Sequence, residues 1–166
     1  PTQVAKFWGV MGIGIAPKLP WRIWIPVHKD GAIVSWTTRS LSDKTRSKYI
    51  SAGPKEEAVS HKTLLYGEDH CRHAIVICEG PLDVWKIGPG AVATFGVQIS
   101  RSQILKMSKF PIRAICFDND APGRSAAKKL LRNLECFPGK TMNVTLKDKD
   151  PGSSGEINDI RREFLD

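Results

Sequence analysis

Three acidic residues stand where their chemistry would count. Glu79 follows the apolar run at residues 74–78, and Asp118 and Asp120 follow the run at residues 112–117. Asp118-Asn119-Asp120 projects two carboxylates from one turn, and Glu79 adds a third if the two runs are neighbouring strands. Three close carboxylates repel one another unless a cation or proton lies between them. Oxygen-only ligands favour magnesium, manganese or calcium over zinc. Magnesium keeps several waters and takes one or two carboxylates plus substrate phosphates, which suits phosphoryl transfer. Taken singly, the same residues have plainer uses: Glu79 as a charge at a helix N-terminus, Asp-Asn-Asp as turn chemistry. Their joint placement at two strand ends is what points to metal. Asp148 and Asp150, with Glu156, follow a fourth strand-like run. They read either as a second metal position or as a solvated loop, because Lys147 and Lys149 interleave with them.

The cations are placed differently. The chain of 166 residues carries a net charge of +8. Between Lys18 and Lys62 there are nine Lys/Arg against four Asp/Glu, and from Ala74 onward fourteen against eleven. A basic front half suits polyanion binding, because phosphate contacts release counterions without reading sequence. Arg39, Arg46, Lys48 and Lys62 are the candidate phosphate contacts; the plainer alternative is ordinary solvent exposure. Of the five tryptophans, none is singled out as a base-stacking surface, since buried packing is the commoner use. His61, beside Lys62, is a candidate nucleotide contact.

The elements that must hold these residues come in two textures. The first twenty residues are Gly- and Pro-rich and read as an irregular lead-in. Residues 22–28 alternate like a strand, Lys29-Asp30-Gly31 is a turn signal, and residues 32–39 are β-rich, so a hairpin is expected there. Residues 41–54 are polar and basic and read as loop. From residue 74 the pattern changes to short continuous apolar runs at 74–78, 91–95, 112–117 and 141–146. Helical segments are expected at 81–87, 100–109, 123–136 and 156–165. Strand and helix alternating four times predicts a parallel α/β sheet. In such sheets ligands bind at the carboxyl ends of the strands, where all the acids named above fall. The expected domains are 1–73, basic and β-rich, and 74–166, the metal-binding α/β domain.

Other chemistry is less supported. The four cysteines form no C-x-x-C pair, so no zinc is expected in this chain. Cys78 and Cys116 read as small buried hydrophobes, and a reducing cytoplasmic setting is expected. No run approaches the ~20 apolar residues of a membrane span, and no signal peptide is visible.

Two segments resemble a known family. Residues 75–83 read IVICEGPLD and residues 115–127 read ICFDNDAPGRSAA. The first resembles the glutamate motif of Toprim domains and the second their Asp-x-Asp motif. The Pro-Gly-Arg form is closest to primases of the bacterial and phage type. Residues 91–100 (AVATFGVQIS) are similar to the strand and Gly loop between those motifs. Residues 22–39, Lys48-Tyr49, His61-Lys62 and Leu65-Tyr66-Gly67 are similar, in that order, to the basic subdomain of the primase RNA-polymerase core.

The resemblance covers about residues 9–160. It implies metal ligation by Glu79, Asp118 and Asp120, with Asp148 and Asp150 as a third acidic site and Asp83 as a further family acid. It implies nucleotide or template contacts by Arg39, Lys48 and Lys62. The implied activity is magnesium- or manganese-dependent synthesis of short RNA primers from nucleoside triphosphates on single-stranded DNA, with a replicative helicase as partner. The setting would be the cytoplasm of a bacterium or phage-infected cell. The chain is expected to be an excised catalytic core or a small stand-alone protein. A Toprim nuclease and a non-catalytic nucleic-acid-binding module are the alternatives; the basic segments ahead of the metal motifs disfavour the nuclease.

Overall fold

The structure is a computed structural model that describes residues 2–42, 44–146 and 155–165. It divides into two compact units, Pro1–His61 and Lys62–Asp166.

The first unit is a four-stranded antiparallel sheet, β1 (Met11–Ile13), β2 (Arg22–Lys29), β3 (Ala32–Ser40) and β4 (Tyr49–Ser51), in that spatial order, preceded by helix α1 (Thr2–Trp8). The expected hairpin forms, with Asp30 (φ 53°) and Gly31 (φ 78°) both left-handed at its tip. Asp-Gly tolerates that conformation, and it matches the twist of the strands. A bulge lies between Val27 and His28. Trp24 pairs with Thr38 and Trp36 with Pro26, so the two indoles are diagonal rather than opposite. The irregular lead-in is corrected to α1 and β1. The loop at 41–54 contains β4, because the three residues 49–51 pair with 37–39 along the sheet edge.

The second unit has the parallel sheet. Strands β5 (Ala74–Cys78), β6 (Ala91–Ala93), β7 (Ile112–Ile115) and β8 (Lys140–Asn143) lie in the order β6-β5-β7-β8, every pair parallel. Helices α2 (Pro81–Ile87), α3 (Arg101–Met107), α4 (Ala121–Glu135) and α5 (Ile157–Phe164) connect or follow them. Strand β5 is apolar throughout because helices cover it on both faces. Ile75, Ile77 and Ile115 pack with Met107 of α3 and with Ala127, Leu130 and Leu134 of α4. Helix α5 lies against α2 and β5, burying Ile160 and Phe164. Truncating one such core side chain costs about 2–5 kcal/mol.

The first unit ends at His61, where the expected first domain runs to residue 73. Leu64, Leu65 and Tyr66 are buried with the parallel sheet, and the Tyr66 backbone pairs with Ala93 in both directions. Trp85 of α2 donates its ring N–H to the Tyr66 hydroxyl (2.7 Å). Among the described residues, no helix is long and apolar enough to cross a membrane.

Candidate metal centre and its surroundings

β5 and β7 are direct neighbours, with Ala74 beside Ile112 and Ile77 beside Ile115. Equal advance along two parallel strands delivers Glu79 and Asp118 to the same sheet edge. The meeting is direct: the Asp118 backbone N–H donates to Glu79 Oε1 at 3.2 Å. Asp120 then starts α4 as its N-cap, its Oδ1 accepting from the Gly123 N–H at 2.7 Å. Pro122 fits the first turn, where its missing N–H leaves no gap.

Gly123 is dictated by this closeness. A Cβ there would stand 2.2 Å from the Asp118 carbonyl oxygen and 2.8 Å from Glu79 Oε1. Only a residue without a side chain lets the helix start press against both acids. Arg124 donates to the Asn119 carbonyl (2.8 Å) and side-chain oxygen (3.1 Å), which fixes the turn from the outside. Asn119 Nδ2 in turn donates to the Leu146 carbonyl (3.0 Å). The chain leaving β8 is therefore tied to the Asp118–Asp120 turn at the point where the stretch holding Asp148 and Asp150 begins. Those two acids lie outside the described residues. A cleft of about 110 Å³ opens here, bordered by Asp118, Asn119, Arg124, Lys128 and the segment 143–146. Drug-sized ligands take ~300 Å³ or more, so the cleft is far smaller than a nucleotide.

The electrostatics mark Glu79. Burial pushes its carboxyl up, the negative charges of Asp118, Asp120 and Asp83 add to that, and the group stands at about 7 although the Asp118 N–H pulls the other way. Asp83 itself is a helix residue whose Oδ2 accepts from the Gly80 N–H (3.3 Å), a structural use. Among the described residues, no three His, Cys, Asp or Glu side chains are gathered tightly enough to enclose a metal by themselves. One oxygen of Asp120 and one of Glu79 are spent on backbone N–H groups. The donor set still fits a hydrated magnesium- or manganese-type ion, which takes one or two carboxylates and completes its shell with water and phosphate. A cation beside Glu79 would also relieve the repulsion that raises its pKa.

The basic candidates separate. In the first unit, Arg39 lies 5.1 Å over the Tyr49 ring and donates to its hydroxyl (3.0 Å), directly across β3 and β4. Arg46 and Lys48 are exposed. The Lys48 carbonyl is held by the buried Arg22 guanidinium (2.8 Å), which also holds the Ser47 carbonyl (2.9 Å). Lys62, in the second unit, is exposed, and its carbonyl accepts from Ser100 Oγ (2.8 Å) at the cap of α3. His61 is a correction. Its ring is buried and hydrogen-bonded to Glu57 (3.0 Å), so it is a packing residue rather than a nucleotide contact.

Sequence reasoning missed Arg22, Asn119, Gly123 and Arg124 as supporting residues. Three of them were visible inside Asp-Asn-Asp-Ala-Pro-Gly-Arg, but only as motif letters. Nothing in the sequence marks Arg22 as buried.

A Toprim-like family model matches residues 76–153, the stretch that carries this edge. The DNA primase of Thermotoga maritima is 36% identical over 143 residues, covering 78% of this chain and 25% of its own. The zinc-binding and RNA polymerase domains of the Aquifex aeolicus primase superpose with a TM-score of 0.80 at 17% identity, over 98% of this chain and 52% of that one. The chain has the Toprim-containing core of a DNA primase. A primase catalytic domain solved with single-stranded DNA superposes on this core with a TM-score of 0.79 at 18% identity, over 98% of this chain and 67% of that one. The core spans about a quarter of the length of the Thermotoga relative.

Proposed function

We propose that this primase core synthesises short RNA primers from ribonucleoside triphosphates on single-stranded DNA, in a reaction that depends on magnesium or manganese. The observation that carries the reading is the delivery of Glu79, Asp118 and Asp120 to one edge by adjacent parallel strands, with Glu79 raised to about 7 by burial and by the neighbouring acids. Those three residues would hold the metal, with Asp148 and Asp150 as a further acidic site. When bound, a divalent ion supplies charge neutralisation at the phosphates and activation of the attacking hydroxyl.

The chain's own residues do the rest. Glu79, at the edge where the metal would sit, is also the residue assigned to accept a proton there. Gly123 and the Asp120 cap hold the α4 N-terminus against the acids, where its dipole favours negative charge. Arg124 and Lys128 border the cleft beside Asp118 and suit a phosphate there. Arg39, Arg46, Lys48 and Lys62 are assigned to nucleotide or template phosphates, which the kinship with primases supports. On the same reading the protein works in the cytoplasm beside a replicative helicase, and residues 1–61 supply nucleic-acid contacts to the metal-binding unit.

The test is incubation of the chain with single-stranded DNA, labelled ribonucleotides and magnesium or manganese, with products read on a gel. Short RNA is expected, and its loss by at least a hundredfold in the Asp118→Asn, Asp120→Asn double variant with an unchanged melting temperature. Full magnesium-dependent synthesis by that variant would remove the assignment. Degraded DNA in place of new RNA would point to a nuclease.

A further inference from the structure

Trp21 is out of place for a large aromatic residue. The residue is 62% exposed, although tryptophan is highly buried on average. Its backbone is left-handed at φ 54°, a conformation that bulky L-residues avoid. Both backbone groups are nonetheless fixed: the Trp21 N–H donates to the Gly14 carbonyl (2.9 Å), and the Leu41 N–H donates to the Trp21 carbonyl (3.0 Å). The fold thus over-determines a strained backbone and leaves the indole in solvent. Strain of this kind collects at functional positions.

The surroundings are cationic. One step further along the sheet, Ile23 pairs with Arg39 and Arg39 with Tyr49, an exposed residue whose ring the Arg39 guanidinium covers. The Ser40 N–H holds the Lys48 carbonyl (2.8 Å), and the buried Arg22 guanidinium donates to the same carbonyl. The strap that carries exposed Lys44, Arg46 and Lys48 is thereby tied beside Trp21. From Lys18 to Lys48 the sequence has seven Lys/Arg against two Asp/Glu. An aromatic face beside a row of phosphate-binding cations is the arrangement that binds single strands.

We propose that the Trp21 indole is a stacking platform for a base of single-stranded DNA, with Arg39, Arg46 and Lys48 on the adjoining rim taking its phosphates. This rests on the nucleic-acid reading given above. It adds a named contact to bases, where the cations alone would bind only the backbone.

The experiment is a fluorescence-anisotropy titration of the full chain, at one fixed low salt, with labelled oligothymidylate and with an abasic oligomer of equal length. Trp21→Ala should weaken oligothymidylate binding about tenfold or more and leave the abasic oligomer unchanged. Trp21→Phe should keep most of the affinity. Trp21→Gly relieves the left-handed strain, so it should melt no lower than the parent while losing base affinity like alanine. Equal affinity of parent and Trp21→Gly for oligothymidylate would overturn the proposal and leave the primase reading standing. Equal losses on both oligomers would also overturn it. Unchanged binding with loss of a dimer in sedimentation would assign the ring to contact between copies instead. A parent chain that binds neither oligomer would overturn both readings together.

Discussion

Two glutamates, Glu57 in the first unit and Glu79 in the second, lose solvent on folding and are treated in opposite ways. Glu57, in the antiparallel unit, loses solvent, which alone would raise its carboxyl. The Ser35 hydroxyl, the His61 N–H, the His61 ring and Ser60 more than offset that and hold it at about 2. Glu79, in the parallel unit, is raised to about 7 by burial and by three neighbouring acids, against a single backbone N–H. Glu57 has its partners within the fold. Glu79 is left with a charge that something outside the polypeptide must balance. A carboxylate that hydrogen bonds satisfy reads as architecture, whereas one held among like charges reads as a site. The buried arginines repeat the contrast in space. Arg113 sits near the start of β7, at the sheet edge away from the acids. Arg22 ties down the strap that carries Lys48.

The largest effect expected is from Arg113→Met. The Arg113 guanidinium is fully buried and donates to Thr141 Oγ1 (2.8 Å) and to the carbonyls of Ser108, Phe110, Phe137 and Pro138. Its loss leaves four carbonyls and a hydroxyl without their donor, at ~1–3 kcal/mol for each that stays dry. We expect about 4 kcal/mol of lost stability in urea melts, with oligonucleotide affinity unchanged in whatever fraction remains folded. Arg22→Met should cost about 2 kcal/mol but lower affinity as well, because the Ser47 and Lys48 carbonyls are released. Identical behaviour of the two variants would remove the distinction between an architectural and a functional tie.

Glu57→Gln falls between those two variants in expected stability loss. The fall from the ordinary 4.5 to about 2 corresponds to roughly 3 kcal/mol at neutral pH. The folded pKa lies below the unfolded one, so this stability is present above about 4.5 and is lost as pH falls through 2. Melts should therefore show a variant that is weaker than the parent at pH 7, with the gap closing as acid is added. A gap that is constant with pH would mean the carboxylate acts by shape alone.

The two units are unevenly legible in the sequence, for physical reasons. From Ala74 onward the alternation of apolar strands with helices was legible, because strands covered on both faces must be apolar along their whole length. The acidic edge was legible for the same reason: strand ends could be counted. That β5 and β7 are neighbours was not, since nothing local encodes strand order. In the first unit α1 and β1 were hidden by Gly and Pro, and β4 by its three-residue length. Glu57 carried no signal, because the segment that brings it to Ser35 and His61 has no regular pattern. Nothing in the sequence marks Trp21 as exposed, since its backbone is fixed by hydrogen bonds to Gly14 and Leu41.

Gly123→Ala tests the crowding at the acidic edge. The new Cβ would meet the Asp118 carbonyl oxygen at 2.2 Å, and backbone cannot swing aside as a side chain can. The start of α4 must move, at about 1–3 kcal/mol by analogy with overpacked cores. Because Asp120 caps that helix, a shift there displaces a proposed ligand. Primer synthesis should fall by about a hundredfold, well beyond what the stability loss explains. Full activity at reduced stability would show that the helix start and the metal ligands are not coupled.

Glu79→Gln should give the smallest change in stability and the most informative one. The folded pKa, about 7, lies above the ordinary 4.5. The folded state therefore holds its proton longer than the unfolded one, and the contribution to stability is fully present below about 4.5 and lost as pH rises through 7. Glutamine stays neutral and escapes that loss. In metal-free buffer at pH 8 the variant should be more stable than the parent by about 1 kcal/mol, after solvent screening of a half-buried group, or about 2–4 °C in melting temperature. At pH 4 the two should match. Adding magnesium should raise the melting temperature of the parent and not that of the variant, since ligand binding stabilises only the state that binds it. Primer synthesis should be lost in the same variant, the common exchange of stability for activity at a charged site. A variant less stable than the parent at pH 8, as Glu57→Gln is expected to be at pH 7, would mean that both glutamates are architectural and that the metal lies elsewhere.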